Sequence, residues 1–153
     1  KRVLENCEWE LQELERDTTH LMEVKPPFER ITYDYAIELL ANKGFAIKWG
    51  DDIGGDEETA ISNQFDKPVF VTDYPKAIRP FYMKEHPDRP ELVRCADLLA
   101  SEGYGEIIGG SQREDDYDKL IAQIKRCKLP VEPYKWYLDL RKYGSIPHSG
   151  WGM

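Results

Sequence analysis

A chain of 153 residues with 41% hydrophobic and 12% aromatic content is long enough to bury one core and too short for several. Its 21 Lys and Arg against 29 Asp and Glu leave a net charge of −8, which opposes a broad phosphate-neutralising surface for nucleic acid. No apolar run reaches the roughly 20 residues of a membrane span, and Cys7, Cys95 and Cys127 follow neither CxxC nor Cys/His zinc spacing, so they are expected as reduced thiols of an intracellular protein.

Residues 1 to 22 place Val3, Leu4, Cys7, Leu11, Leu14 and Leu21 at spacings of three and four, which predicts an amphipathic helix. "KPPF" at 25–28 reads as a joint. "ITYDYAIELLANKG" predicts a second helix, capped by Thr32 or Asp34, with Ala36, Leu39 and Leu40 on its apolar side and Gly44 at its stop. "FAIKW" reads as a short strand and "WGDDIGGDEE" as an acidic loop running into a short helix.

From Pro68 the periodicity changes. "PVFVTDYP", "IRPFYMK", "LVRCADLLA" and "YGEIIGGSQRE" predict four consecutive strands with short connections, hence an antiparallel sheet. Two helices, "DYDKLIAQIKRC" and "VEPYKWYLDLRKYG", and a tail "SIPHSGWGM" that can start a further strand complete an α+β chain without internal repeats.

The chemistry concentrates at "GYGEIIGGSQRED", residues 103–115. Ile107 and Ile108 favour extended chain, while Gly105, Gly109 and Gly110 strip the strand of side chains, so a ligand or another backbone can approach closely. Asp97 and Glu106, on neighbouring strands, can converge as oxygen ligands for Mg²⁺, an ion that keeps waters and bridges to phosphate; the alternative is a pair of solvated surface acids. Arg113 offers a planar donor fork for a carboxylate, an amide oxygen or a phosphate, or else an ordinary salt bridge. Glu106 and Arg113 are seven residues apart, so strict alternation sends them to opposite faces. One shared pocket therefore requires a bulge, most cheaply at Gly109 and Gly110. In "IRPFYM", Arg79 and Tyr82 alternate to opposite faces, Phe81 is a core candidate, and the Tyr82 hydroxyl is either packed or a donor to a ligand. His148, in "PHSG", is flanked by turn residues, whereas His20 and His86 have no catalytic neighbours in sequence.

"FYMKEHPDRPELVRCADLLASEGYGEIIGGSQRE" followed by "WYLDLRKYGSIPHSGWG" resembles the later half of the catalytic domain of class II asparaginyl-tRNA synthetases, and the similarity extends to "ELERDTTHLMEVKPPFERITYDYAIELL" near the start. What the resemblance implies is activation of asparagine by ATP and transfer to tRNA(Asn), in a cytoplasmic, homodimeric, non-membrane enzyme. On it, Asp97 and Glu106 match the acids near ATP and Mg²⁺, Arg113 the arginine that grips the amino-acid side chain, and Tyr82 and Arg79 polar positions of the amino-acid pocket. Arg79 stands where relatives often carry lysine. His148 matches the loop before the third class II signature, and Gly150 and Gly152 the glycines at its start, on the substrate and cofactor sides respectively. The chain is accordingly expected to be a partial catalytic domain over residues 1–153, without the anticodon-binding domain and the first two class II signatures. Aspartyl-tRNA synthetase, a synthetase-like asparagine synthetase and a non-catalytic binding fragment are the alternatives.

Overall fold

The computed structural model describes residues 1–153. In place of one amphipathic helix, the N-terminal stretch forms three short ones: α1 (Arg2–Asn6), α2 (Glu8–Glu13) and α3 (Thr19–Glu23). Cys7 leaves helical geometry at φ −126° and ψ 37°, and Glu15 adopts φ 50°, so the apolar periodicity is carried across two breaks. "KPPF" stays irregular after α3, and strand β1 (Glu29–Thr32), which was not anticipated, leads directly from it into α4 (Tyr33–Asn42). Thr32 caps that helix by accepting the Tyr35 N–H at 3.2 Å, and Gly44 ends it at φ 86°.

"FAIKW" is not a strand. Phe45 and Ile47 do pack on the core, but the segment lies between two helices with no strand beside it, and its end is tied by hydrogen bonds from Lys48 N to Asp51 Oδ2 (2.8 Å) and from Gly50 N to the Tyr33 hydroxyl (2.9 Å). Helix α5 (Gly55–Ser62) follows, then β2 (Val69–Thr72), a single 3-10 turn at Lys76–Ile78, β3 (Cys95–Ala100) and β4 (Gly105–Gln112). Helices α6 (Tyr117–Arg126) and α7 (Lys135–Lys142) lead to β5 (Ser149–Gly152), which realises the strand anticipated in the tail.

The five strands lie in the order β1-β2-β3-β4-β5. The sheet is mixed, not wholly antiparallel: β1 pairs parallel with β2, because the α4–α5 connection between them is a crossover and not a hairpin. The remaining pairs are antiparallel. "IRPFYMK", the second of the four predicted strands, does not form. Pro80 has no N–H to give a ladder, and the segment meets the end of β4 irregularly, through the isolated bridge Met83↔Arg113 and the hydrogen bonds from Lys84 N to Gln112 O and from Glu114 N to Tyr82 O, both 2.9 Å.

One face of the sheet carries Val69, Val71, Cys95 and Leu99, which join Tyr33, Ala36, Leu40 and Ile61 of α4 and α5 in the main core. A second cluster of Leu120, Ile124 and Leu138 collects Phe81, Tyr134 and Tyr137 between α6, α7 and the 80s segment. The other sheet face, with Phe70, Ile108 and Trp151 beside Arg30, Arg94 and Gln112, is an open trough of about 520 Å³.

Candidate active site

The face that holds the core continues, beyond the helices, into the cluster of polar residues. Its assembly depends on one irregularity. In the β3–β4 ladder Leu98 pairs with Ile108 but Leu99 pairs with Glu106, so Ile107 is an extra residue. This bulge inverts the alternation between Glu106 and Gly109. Glu106 and Arg113 therefore share a face in spite of their odd spacing, and the bulge sits at Ile107 and not at the glycines where it was expected.

Gly109 lies opposite Asp97 in the ladder. A side chain there would have its first carbon 3.4 Å from Asp97 Oδ1 and in collision with Glu106 Oε1, so the two carboxylates turn toward the space above a residue that has no side chain. Asp97 is only 5% exposed, and its Oδ2 accepts a hydrogen bond from Arg79 Nη2 at 2.5 Å. Loss of hydration raises the Asp97 carboxyl above the ordinary range, against the opposing pull of Arg79. Glu106 is exposed as a residue, yet partial desolvation, and then the charge of Asp97, push its carboxyl upward too. Two acids that are costly to ionise side by side form a place where a cation is stabilising.

Arg79 lies flat over the Tyr74 ring, 3.7 Å from its centroid. Burial and the nearby Asp97 charge raise the Tyr74 hydroxyl far above its usual range, so it stays protonated beside Asp97. The Arg79 Nε is buried without a partner. Cys95 is likewise buried, and its thiol is pushed up to about 11, which leaves it inert near neutrality.

Further along β4, Ser111 and then Arg113 point to the same side as Gly109. Arg113 stacks 4.4 Å from the Tyr82 ring centroid and donates from Nη1 to Ser111 Oγ at 2.9 Å. Its backbone is held on two sides: Arg113 N donates to His148 O, and Glu114 N to Tyr82 O, both at 2.9 Å. Gly150, opposite Ser111, leaves the room that the guanidinium fills. The break in the 80s segment brings both Arg79 and Tyr82 to this face, where a regular strand would have separated them. An open aromatic pocket of about 530 Å³ adjoins Arg113 and Tyr82, walled by Phe81, Tyr134, Trp136 and Tyr137.

Six of the residues singled out in the sequence thus gather here: Arg79, Tyr82, Asp97, Glu106, Arg113 and Gly150. Gly152 lies opposite Gly109 at the carboxylate end. The His148 ring does not join them. It lies against Arg141 Nη2 (3.4 Å) and its own loop's Ile146 O (2.9 Å), and only its backbone carbonyl reaches Arg113. Sequence reasoning missed Ser111, Tyr74 and Glu58; Glu58 accepts the Glu106 N–H at 2.9 Å. The one available signal for Glu58 was the acidic run "GDEE", which reads equally well as a solvated helix start.

The arrangement is a shallow site with two ends: a carboxylate pair at one, an aromatic-backed guanidinium at the other. The family described as tRNA synthetases class II (D, K and N) matches residues 1–153. The chain belongs to that family. Among class II synthetases it is 56% identical, over all 153 residues, to the asparagine--tRNA ligase of Pyrococcus abyssi, of which it covers 35%. The asparaginyl-tRNA synthetase of Pyrococcus horikoshii complexed with asparaginyl-adenylate superposes with a TM-score of 0.95 at 54% identity, over 99% of this chain and 35% of that one. An aspartyl-tRNA synthetase of Entamoeba histolytica gives 0.78 at 30% identity, over 85% of this chain and 27% of that chain. The chain thus spans about a third of the length of these synthetases. No helix is long and apolar enough to cross a membrane.

Proposed function

We propose that this chain is a partial catalytic domain of a longer asparagine-activating synthetase, supplying its amino-acid pocket and part of its Mg-ATP site. The observation that carries this reading is the bulge at Ile107, which sets Arg113 and the Asp97–Glu106 pair on one face. An amino acid bound by its side chain at Arg113 would have its carboxylate directed toward the acidic end, where ATP must react with it.

Each residue has a role in that reaction. Arg113, fixed by Ser111 and Tyr82, donates to the side-chain oxygen of asparagine. Tyr82 backs the guanidinium, and Gly150 leaves space for it. Arg79, held by Asp97 over Tyr74, fixes a positive charge between the two ends that can receive the substrate carboxylate. Asp97 and Glu106 fit Mg²⁺: they are hard oxygen donors that turn toward one space above Gly109, and no third side chain joins them to enclose an ion, so the rest of the shell would be water and phosphate. Held by Asp97 and Glu106, the ion would supply positive charge against the ATP phosphates. Gly152 gives ATP backbone access beside that pair. Catalysis then rests on orientation and fixed charge, without a protein nucleophile.

The parent enzyme transfers the activated asparagine to tRNA(Asn), and is a cytoplasmic homodimer. Support for asparagine over aspartate comes from the higher identity to the asparagine enzymes and from the asparaginyl-adenylate bound to the Pyrococcus horikoshii structure. The test is amino-acid-dependent exchange of pyrophosphate into ATP by the full-length parent enzyme. Exchange with asparagine and none with aspartate is the expected result; exchange with aspartate alone would overturn the assignment.

A further inference from the structure

Why a third carboxylate should stand beside two that already resist ionisation is not explained by metal binding alone. Glu58 lies half-buried in the first turn of α5, and its negative charge is among the influences that raise the Glu106 carboxyl. Its Oε2 accepts the Glu106 backbone N–H at 2.9 Å. The residue before Glu106 is shaped for this contact. Gly105 is at φ +69°, where an L side chain is strained, and a carbon attached there would lie 2.7 Å from Glu58 Oε2. Gly103, also at positive φ, packs against the same helical turn: a carbon attached there would lie 3.4 Å from Thr59 Cγ2. The two glycines let α5 rest directly on the entry to β4.

We infer that Glu58 is a positioning residue for Glu106: by holding the N–H at the start of the Ile107 bulge, it keeps the Glu106 carboxylate on the side of Asp97. This rests on the proposed role of Asp97 and Glu106 at the metal. Without the extra residue, Glu106 would return to the opposite face of the sheet from Asp97, because side-chain direction alternates along a strand. Ile107 has no partner of its own in β3, although Ile108 and Glu106 on either side of it do, and the carboxylate from α5 is the side-chain contact that holds the Glu106 N–H where the register shifts. An amide oxygen at position 58 can accept the same N–H, whereas alanine cannot.

The experiment measures, in the full-length parent enzyme, the Mg²⁺ concentration for half-maximal asparagine-dependent pyrophosphate exchange in Glu58→Ala, Glu58→Gln and Glu106→Gln. It adds hydrogen–deuterium exchange of the peptide covering 104–108, with 95–100 as the internal reference. Glu58→Ala is expected to raise the Mg²⁺ requirement about 10-fold or more, as loss of a group that orients a metal ligand does, and to speed deuteration of 104–108 with 95–100 unchanged. Glu58→Gln should restore both. An unchanged Mg²⁺ requirement in Glu58→Ala while Glu106→Gln is impaired would overturn the inference and leave the metal reading intact. Equal impairment of the Gln and Ala variants would also overturn it, since charge and not hydrogen-bond acceptance would then be the cause. If Glu106→Gln leaves the Mg²⁺ requirement unchanged, the metal reading fails, and with it the inference as stated.

Discussion

Replacing Gly150 with alanine tests the amino-acid end of the site without touching a charged group. The added carbon would lie 2.5 Å from Arg113 Nη2, 2.8 Å from Nε and 3.1 Å from Cζ, where contacts under 3.0 Å are essentially never found. Three atoms of one rigid plane are involved, so rotating a terminal atom gives no relief. The guanidinium must move by roughly half an ångström to clear the clash, and by nearly one to reach ordinary contact. It starts from a position set by Ser111 Oγ at 2.9 Å and the Tyr82 ring at 4.4 Å, and cannot keep both. A misplacement of this size at a substrate-orienting group costs on the order of 10²-fold. Steady-state pyrophosphate exchange by the full-length parent enzyme should therefore show kcat/KM for asparagine reduced by about 10–10²-fold, with KM for ATP unchanged. Gly144→Ala, where an added carbon meets nothing within 4 Å, is the control and should behave as wild type. Wild-type efficiency for asparagine in Gly150→Ala would refute the assignment of Arg113 as the residue that grips the substrate side chain.

Arg113→Lys should likewise damage asparagine use more than ATP binding, because lysine lacks the planar fork; a charged hydrogen bond lost corresponds to about 1.5–3 kcal/mol in kcat/KM, and equal losses for both substrates would contradict this. Glu106→Gln should raise the Mg²⁺ requirement and, in metal-free enzyme, raise the melting temperature near neutral pH. The sign follows from the upward shift of the Glu106 carboxyl: its contribution to stability is complete below the ordinary carboxylate range and is lost as pH rises through the raised value, so the advantage of the amide should vanish in acid. Asp97→Ala should destabilise the protein by up to about 3–5 kcal/mol in chemical denaturation, since it strands the buried guanidinium of Arg79; a loss near zero would show that Arg79 finds solvent. The 153-residue chain alone should give no asparagine-dependent exchange, because Arg79 is engaged by Asp97 and Arg113 by the amino-acid end, leaving no fixed cation for the α-phosphate and pyrophosphate. Losing one such donor costs about 10²–10³-fold, and exchange comparable to that of the full-length enzyme would sink this account.

Local chemistry made much of the fold legible. Thr32 and Gly44 bracket α4 because a hydroxyl cap and a left-handed stop are local requirements, and β2, β3, β4, α6 and α7 follow from periodicity that short-range packing enforces. The same logic failed where apolar spacing came from packing on a distant surface. Phe45 and Ile47 alternate like a strand but rest on the core as a loop, and the leucines of residues 1–22 span three helices. β1 was missed because its parallel partner, β2, lies across two intervening helices, and a register of that kind leaves no local mark.

The site divides in the same way. Residue type marked Asp97, Glu106 and Arg113 as candidates, as hard oxygen donors and a planar donor fork among glycines, but left solvated surface acids and an ordinary salt bridge as equally available readings. Whether they could meet was a question of parity, and sequence spacing answered it in the negative for a regular strand. Only the tertiary structure decided it, through the extra residue at Ile107, the Glu58 carboxylate reaching over from α5, and the break at Pro80 that turns Arg79 and Tyr82 to one side. Side-chain direction in a strand reverses with every residue, so a single insertion chosen by long-range contacts redirects a whole site, and nothing in the residues nearby records it.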